Sequence, residues 1–192
     1  MKKLLSLLTA LAFVTIANAQ NWKLDNAHSK IHFSAKYLLI SDVTGEFKKF
    51  EGVINSERPD WSDLKADVTI DVSSINTENG MRDKHLVSDD FFNAEKYPTM
   101  TFKATGMKKL DGKKYVMSGD LTIRDVTKKV DLPVVYNGTV TDPWGNTKAG
   151  FKATGTLNRQ DYNLKYANKA AAGEAVVSDD IDFTIDVVLI KQ

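Results

Sequence analysis

The segment LKADVTIDV, residues 64–72, decides the fold, because its apolar and polar residues alternate without exception. A period of two places the two kinds of residue on opposite faces of a β-strand. The segment therefore predicts a strand with one buried face and one solvated face. The apolar positions are Leu64, Ala66, Val68, Ile70 and Val72.

The same alternation runs through most of the chain. A further, less regular strand is predicted over residues 45–55. With the first segment and six others, this makes eight predicted strands, each with polar residues on its outer face. The other six alternating segments are residues 28–37, 98–105, 113–123, 128–136, 147–157 and 178–190.

Short turn signals join several of these strands. Residues 110–113 (LDGK), Asn137-Gly138 and residues 142–146 (DPWGN) are turn-forming sequences. Strands joined by turns this short are antiparallel. We therefore expect an all-β, mainly antiparallel fold, an eight-stranded up-and-down barrel of the size that holds one small ligand.

The expected inward face mixes large and small side chains. A filled barrel needs native packing density, so this many small residues favour a hollow lumen over a filled core, although they also suit a tapered interior. The large residues are Phe33, Tyr37, Phe102, Tyr115, Phe151 and Phe183. The small ones are Ala35, Ala66, Ala104, Gly119, Ala149, Ala153 and Gly155.

The first nineteen residues have the pattern of a signal peptide. Lys2 and Lys3 precede an uncharged apolar run that ends in Ala17-Asn18-Ala19, the small-x-small pattern of a cleavage site. The run is short for a bilayer span, which needs about 20 apolar residues. We therefore expect cleavage before Gln20, export to the periplasm, and a mature single domain over residues 20–192 without an integral membrane span.

Composition excludes several function classes. Removing the two signal lysines lowers the formal net charge from +1 to −1, which gives no field for nucleic acid. The chain has no cysteine, so it has neither a disulfide framework nor a thiolate metal site. His28 and His32 share a strand face but lie about 13 Å apart by strand rise, so we expect no metal site.

The longest gap between strands carries a cluster of ionisable residues. A carboxylate near a histidine can run acid/base chemistry, but the chain has no serine elbow, zinc-protease motif or glycine-rich phosphate loop. An amphipathic cap over the barrel mouth is therefore favoured over catalysis. The cluster consists of Arg82, Asp83, His85, Asp89 and Asp90.

A helix is predicted within residues 78–95. Its spacing places Met81, His85 and Leu86 on one side, facing the barrel. Ser88-Asp89 is read as the cap of a second short helical turn, which carries Phe91 and Phe92 inward.

Two arginines end predicted strands beside an apolar face. Arg124 and Arg159 are candidates to meet an anionic head group at the barrel rim. The alternative is a surface salt bridge with Asp125 or Asp161, and this alternative is favoured. Asn137-Gly138-Thr139 also matches a glycosylation acceptor, but a hairpin turn explains it better.

Several motifs follow one another along nearly all of the mature chain: Asp25-x-x-His28-Ser29-x-Ile31-x-Phe33, Gly45-x-Phe47-x-x-Phe50-x-Gly52-x-Ile54, Ser74-Ile75-x-Thr77, Arg82-Asp83-x-His85-Leu86-x-Ser88-x-x-Phe91-Phe92, Tyr97-Pro98, Gly119-x-Leu121-Thr122-Ile123-Arg124-x-Val126-Thr127-Lys128, Asn158-Arg159-x-Asp161-Tyr162 and Val176-Val177-Ser178-Asp179-Asp180-Ile181. In this order they resemble the YceI-like family, the lipocalin-like polyisoprenoid-binding proteins of bacterial periplasms. The resemblance implies an eight-stranded barrel with a short helical insert capping one end, a lumen for an isoprenoid chain, a homodimer, and no catalysis or cofactor.

The function expected on this basis is a periplasmic carrier without catalytic activity. It holds a long isoprenoid, such as a polyprenyl phosphate or a quinone-like lipid, or a similar amphipathic lipid in the barrel lumen. The alternatives are a hydrolase that uses the His85 region on a lipid-linked substrate, and a filled barrel that binds a protein partner. The residues expected to bind the ligand are Phe33, Tyr37, Phe47, Ile70, Met81, Arg82, His85, Leu86, Phe91, Phe92, Met100, Phe102, Met117, Leu121, Arg124, Phe151 and Phe183.

Overall fold

The computed structural model describes residues 21–171 and 173–192. The predicted signal peptide, residues 1–19, and Gln20 lie outside the described residues. The strands are β1 (Asn21–Leu24), β2 (Lys30–Tyr37), β3 (Ser41–Phe47), β4 (Phe50–Asn55), β5 (Lys65–Asp71), β6 (Ile75–Asn76), β7 (Thr99–Lys109), β8 (Lys114–Ile123), β9 (Val126–Thr141), β10 (Thr147–Asn158) and β11 (Val177–Lys191). One helix, α1 (Gly80–Leu86), and two 3₁₀ turns, Val72–Ser74 and Arg159–Tyr162, complete the described elements.

The strands close into an eight-stranded antiparallel barrel, which confirms the predicted fold. β1 and β2 act as one interrupted strand, since both pair with β11, and β3 and β4 act as a second. β4 then pairs with β5, and β7 to β11 follow around the barrel in chain order. The two-residue strand β6 is added to the end of β3.

The first interruption, residues 25–29, is held by side chains that replace the missing ladder. The Ser29 hydroxyl accepts a hydrogen bond from the Val188 N–H at 3.0 Å, and the Asp25 N–H donates to the Val188 carbonyl at 2.8 Å. Asp25 is buried and accepts from Lys148 at 3.1 Å and from His28 at 2.9 Å. The backbone of β11 is thus satisfied where β1 and β2 part.

The second interruption falls at Lys48 and Lys49, inside the segment whose alternation was least regular. The backbone N–H of Lys48 donates to the Ser74 carbonyl, and that of Lys49 donates to the Ser74 hydroxyl. The 3₁₀ turn after β5 therefore fills the break between β3 and β4.

The turn predicted at Asn137-Gly138 is wrong. Both residues lie inside β9, where Gly138 has a φ of 129°. In β10, Gly150 pairs with Gly138 but Phe151 pairs with Tyr136, so Asn137 is the extra residue of a β-bulge. The glycine supplies the positive φ that the bulge needs. The turns at 110–113 and 142–146 do connect β7 to β8 and β9 to β10.

The helix is shorter than predicted. The Asn79 side chain caps it by accepting from the N–H groups of Met81 and Arg82 at 3.1 Å each, and the helix ends at Leu86. The second short helical turn is present only as a single turn, closed by the Phe91 N–H, which donates to the Ser88 carbonyl at 3.1 Å. The Ser88 side chain does not cap it, since its hydroxyl donates to the His85 carbonyl. Residues 87–98 form consecutive tight turns.

The two ends of the barrel differ. The lower end, where the loop 56–64 crosses, is plugged by Trp61, whose ring lies 4.8 Å from Trp22 and 4.9 Å from Phe151 between centroids. The upper end is covered by α1, the turns of residues 87–98 and the segment after β10. The site lies between these two layers.

Candidate ligand cavity

A continuous apolar cavity of about 430 Å³ occupies the barrel interior. Its walls are the inward residues of the alternating strands, such as Val68, Leu121, Phe183 and Ile185. These side chains are only partly buried although they point into the barrel, because they border empty space instead of packed neighbours. The volume lies within the range of about 300–1,000 Å³ that is usual for ligand pockets. The lumen is therefore hollow, as the small inward residues suggested.

The inward glycines also make room for aromatic rings on neighbouring strands. Each of three inward glycines is covered by a phenylalanine ring. A Cβ at Gly155 would lie 2.5 Å from Cζ of Phe183. Gly45 is covered in the same way by Phe33, and Gly119 by Phe102. The glycines let the rings lie back against the wall, and this keeps the space in front of the rings free.

The cavity meets solvent at the upper end. The wall residues that are exposed are Lys36, Tyr37 and His85, and all three lie at that end. Tyr37 belongs to β2 next to its turn, while His85 is in the last turn of α1. The opening therefore lies between the β2–β3 hairpin and the helix.

An aromatic cluster forms the lid beside this opening. The His85 ring packs edge-on against Phe91 at 5.1 Å and against Tyr166 at 5.2 Å, and the Phe91 and Tyr166 rings stack at 4.9 Å. His85 Nε2 also lies 2.8 Å from a carboxylate oxygen of Asp90. The lid is joined to the segment after β10 by the Tyr166 N–H, which donates to the Asp90 carbonyl.

Arg82 faces the cavity from the same helix and is anchored at Thr77. Its Nε donates to the Thr77 hydroxyl and one terminal nitrogen donates to the Thr77 carbonyl, both at 2.7 Å. Thr77 is buried, and its backbone N–H and hydroxyl donate to Asp83. The guanidinium is therefore held in place by contacts within the chain.

A second arginine, Arg159, also borders the cavity and is 2% exposed. It donates to the Leu164 carbonyl at 2.8 Å, to the Ser178 carbonyl at 2.9 Å and to Asp179 at 2.8 Å. Burial lowers the pKa of Arg159, and the charge of Asp179 opposes this effect. The expected surface pair with Asp161 is wrong, because Asp161 pairs with Lys128.

All but two of the residues expected to bind the ligand border this cavity. They come from both sides of the barrel and from the lid. Those that line it are Phe33, Tyr37, Phe47, Ile70, Arg82, His85, Leu86, Phe91, Phe92, Met100, Phe102, Met117, Leu121, Phe151 and Phe183.

The first exception, Met81, lies outside the cavity and is 82% exposed. The expected helical phase put Met81 on the same side as His85 and Leu86. The helix is only seven residues long and its first turn is set by the Asn79 cap, so Met81 occupies the outer end, where its side chain faces solvent.

The second exception, Arg124, is buried and does not line the cavity. One terminal nitrogen donates to the carbonyls of Asp89, Phe91 and Asn163, and the other donates to the Asp89 carboxylate at 2.9 Å. The expected partner Asp125 instead accepts from Asn163. Arg124 has a φ of 54° in the β8–β9 turn, which turns its side chain under the lid and away from the lumen.

Several wall residues were not predicted as ligand-binding. Ile31, Val68 and Ile185 belong to the predicted alternating segments, so the period-two signal contains them. Val43 lies in β3, which begins at Ser41, before the strand predicted from residue 45. Thr77, Arg159, Leu164 and Tyr166 come from turns and from the irregular segment after β10. No periodicity marks such positions, and tertiary contacts alone place them.

Within residues 21–171 and 173–192, no group of three His, Asp or Glu side chains is placed to hold a metal ion. None of the helices described there has the length and apolarity needed to cross a membrane.

The closed barrel, its lid and its apolar lumen define a lipocalin-like barrel. The chain belongs to the YceI-like family: the model of the YceI-like domain matches residues 22–189. A UPF0312 protein of Photorhabdus laumondii is 42% identical over 170 residues, which cover 86% of this chain and 88% of the relative. The resemblance drawn from the motifs is therefore confirmed.

Solved structures share the fold. BcnA of Burkholderia cenocepacia matches with a TM-score of 0.75 and 25% identity, covering 86% of this chain and 98% of its own. A polyisoprenoid binding domain from Saccharophagus degradans matches with a TM-score of 0.67 over 89% of this chain and 98% of its own. At 16% identity, the second likeness shows the fold alone.

Proposed function

We propose that the protein is a non-catalytic carrier that holds the apolar chain of an amphipathic isoprenoid, a polyprenyl phosphate or a quinone-like lipid, in the barrel lumen. The observation that carries the proposal is the hollow apolar cavity. Its exposed wall residues all lie at the lid end, so the cavity opens there. A lumen lined this way gains about 0.8 kcal/mol for each methylene that it removes from water.

The wall suits a flexible, branched chain. Met100 and Met117 border the lumen, and their unbranched thioether side chains adapt to an irregular occupant. The polar end of such a ligand belongs at the opening, where Arg82 and His85 supply hydrogen-bond donors. No cofactor is needed for this role.

The shared fold supports the ligand class. The Saccharophagus degradans domain of the same fold is a polyisoprenoid binding domain, and the apolar cavity described above offers space for such a chain. The signal-peptide pattern of residues 1–19 supports export, and we propose the periplasm as the site of action. A homodimer is proposed from the resemblance.

A hydrolase is the second candidate, favoured by one observation. His85 and Asp90 form a 2.8 Å pair beside the cavity, which is the arrangement of a general base and its orienting group. However, the neighbouring Ser88 hydroxyl donates to the His85 carbonyl and not to the ring. The carrier is therefore the better reading of the site.

Native mass spectrometry of the protein purified from its own source tests the proposal first. The expected result is one bound isoprenoid molecule per chain, which is released by solvent extraction and identified by its mass. The same spectrum reports whether the chain forms a homodimer. A ligand-free mass, with no uptake of added prenyl lipids, would overturn the carrier function.

A matched pair of substitutions links any uptake to the lumen. Val68→Trp fills the cavity from β5, while Val53→Trp adds the same ring at an exposed position of the neighbouring strand β4. Uptake of a fluorescent prenyl probe is expected to fall in the first variant alone. His85→Ala and Asp90→Asn separate the two candidates, since a hydrolase would lose turnover of a prenyl ester while a carrier shows none to lose.

A further inference from the structure

The turn between β2 and β3 is an apolar tip beside the cavity opening. The tip, residues 37–40, reads Tyr-Leu-Leu-Ile. Leu39 is 61% exposed and Ile40 is 82% exposed. Tyr37 is 44% exposed and also lines the cavity, so the exposed apolar surface continues into the lumen.

The backbone of the tip disfavours the residues that it carries. Leu38 and Leu39 have φ values of 51° and 60°, and the Ile40 N–H donates to the Tyr37 carbonyl at 3.1 Å to close the turn. Turns with two positive φ values select asparagine and glycine, and side chains with a Cβ are strained there. Folding alone therefore gives no reason for two leucines at this turn.

The size and charge of the tip argue against a protein partner. Its few exposed side chains offer far less than the roughly 800 Å² that each partner buries in a stable interface. The flanking Lys36 and Asp42 neutralise each other in a 2.8 Å ion pair. A small, uncharged, protruding apolar loop suits insertion into the apolar part of a lipid bilayer, where the aromatic ring of Tyr37 sits at the interface.

We propose that the tip docks the protein on a lipid bilayer, so that the cavity opening faces the membrane from which the ligand is taken or to which it is delivered. The inference rests on the proposed carrier function for its purpose, but the docking itself does not require a ligand. Insertion depends on apolar contact and not on charge, so it is expected on zwitterionic lipid and is insensitive to salt.

Site-specific labelling tests the docking directly, because the chain contains no cysteine. Ile40→Cys and, at the opposite end of the barrel, the exposed Trp144→Cys are each labelled with an environment-sensitive dye. On phosphatidylcholine vesicles that contain no isoprenoid, the dye at position 40 is expected to brighten and shift to the blue, while the dye at 144 does not respond. No response at 40, or an equal response at both positions, would overturn the inference.

A second pair of variants tests the consequence for transfer. Leu39→Asn with Ile40→Ser removes the apolar contacts. Val53→Ser is the control, because Val53 lies on the barrel wall and its exposed fraction, 64%, is close to the 61% of Leu39. Loss of two aliphatic side chains is expected to slow transfer of a fluorescent prenyl probe from vesicles about tenfold or more. Equilibrium binding of the probe in solution should stay within about twofold, since neither residue lines the cavity.

The outcomes separate the two proposals. If the unmodified protein binds no probe, the carrier function fails, and the dye response still decides the docking. If binding and transfer are both unchanged in the double variant, the docking fails alone. If light scattering shows that the double variant converts a dimer into a monomer, the tip is a self-association surface and the inference is overturned. Asparagine adopts the positive φ of position 39 more readily than leucine does, so the melting temperature of the double variant is expected to rise. This rise would also verify that the variant is folded.

Discussion

Phe183 in β11 covers Gly155, its direct partner in β10. A Cβ at Gly155 would lie 2.5 Å from Cζ and 3.0 Å from Cε1 of the ring. Real Cβ atoms do not approach an aromatic carbon so closely, so the ring can lie there only while position 155 is glycine. The pair couples one backbone position to the width of the lumen.

Gly155→Ala is therefore expected to push the Phe183 ring into the lumen. Overpacking of this kind costs about 1–3 kcal/mol of unfolding free energy, and the displaced ring reduces uptake of a prenyl probe. Urea unfolding and probe titration measure the two effects. Gly150→Ala is the control, because a Cβ there meets Asn137 at an ordinary 3.5 Å. Equal effects of the two substitutions would contradict the role of the covered glycine.

Arg124 is expected to hold the lid. Arg124→Met leaves three backbone carbonyls without their donor, and hydrogen bonds to a charged group contribute about 1.5–3 kcal/mol. Hydrogen exchange, measured by mass spectrometry, should accelerate in residues 89–93 and at Asn163. The exposed Arg58, which donates to Ser62, provides the control as Arg58→Met. Unchanged exchange in residues 89–93 would show that the lid is held by its aromatic contacts alone.

His85 is expected to govern release of the ligand. His85→Ala removes two edge-on aromatic contacts, each worth about 0.5–1.5 kcal/mol, so the dissociation rate should rise several-fold while the number of binding sites stays the same. Stopped-flow transfer of a fluorescent prenyl probe to acceptor vesicles measures this rate. Met81→Ala, on the outer end of the same helix, should have no effect. A change in both variants would indicate general loosening of α1.

Acid is expected to weaken the junction between β1 and β2. Burial raises the pKa of Asp25, but hydrogen bonds from Lys148 and His28 outweigh burial and place this pKa below its ordinary value. The charged carboxylate therefore stabilises the fold above the unfolded-state pKa, and this contribution is lost as the pH falls through the lower folded-state pKa. The stability difference between the wild type and Asp25→Asn should be constant above about pH 5 and shrink below about pH 4.

Urea unfolding at several pH values measures that difference. Asp67→Asn serves as the comparison, since Asp67 and its partner Lys103 are both exposed and 3.5 Å apart, and such pairs contribute little. A difference for Asp25→Asn that does not vary with pH would exclude the carboxylate charge as its cause.

The barrel wall could be predicted well from the sequence, because the geometry of a strand fixes the direction of each side chain. Alternation fixes which side chains face inward, and residues such as Ile70, Phe102 and Phe183 followed from it directly. It does not reveal interruptions: the breaks at residues 25–29 and at Lys48-Lys49 are stabilised by Ser29 and Ser74, which contact residues distant in sequence. Asn137-Gly138 has the composition of a turn, yet the long pairing of β9 with β10 makes it a bulge.

The upper end of the barrel was harder to predict, because its elements are short and irregular. A helix of seven residues has too few turns for periodicity to define its phase, and the cap at Asn79 placed Met81 outside. Arg124 was misplaced because a positive φ reverses the direction of its side chain, which no spacing pattern reports. Tyr166 lies in an irregular segment, where only packing against Phe91 and His85 determines its position.

The Ser29–Val188 contact joins residues 159 positions apart, and this has a consequence for biogenesis. The barrel cannot close until β11, the last of the described strands, pairs with both β10 and the β1–β2 strand. Before that moment β10 and β2 present unpaired edges, which are templates for aggregation. A late, non-local ring closure is thus expected to limit the folding rate.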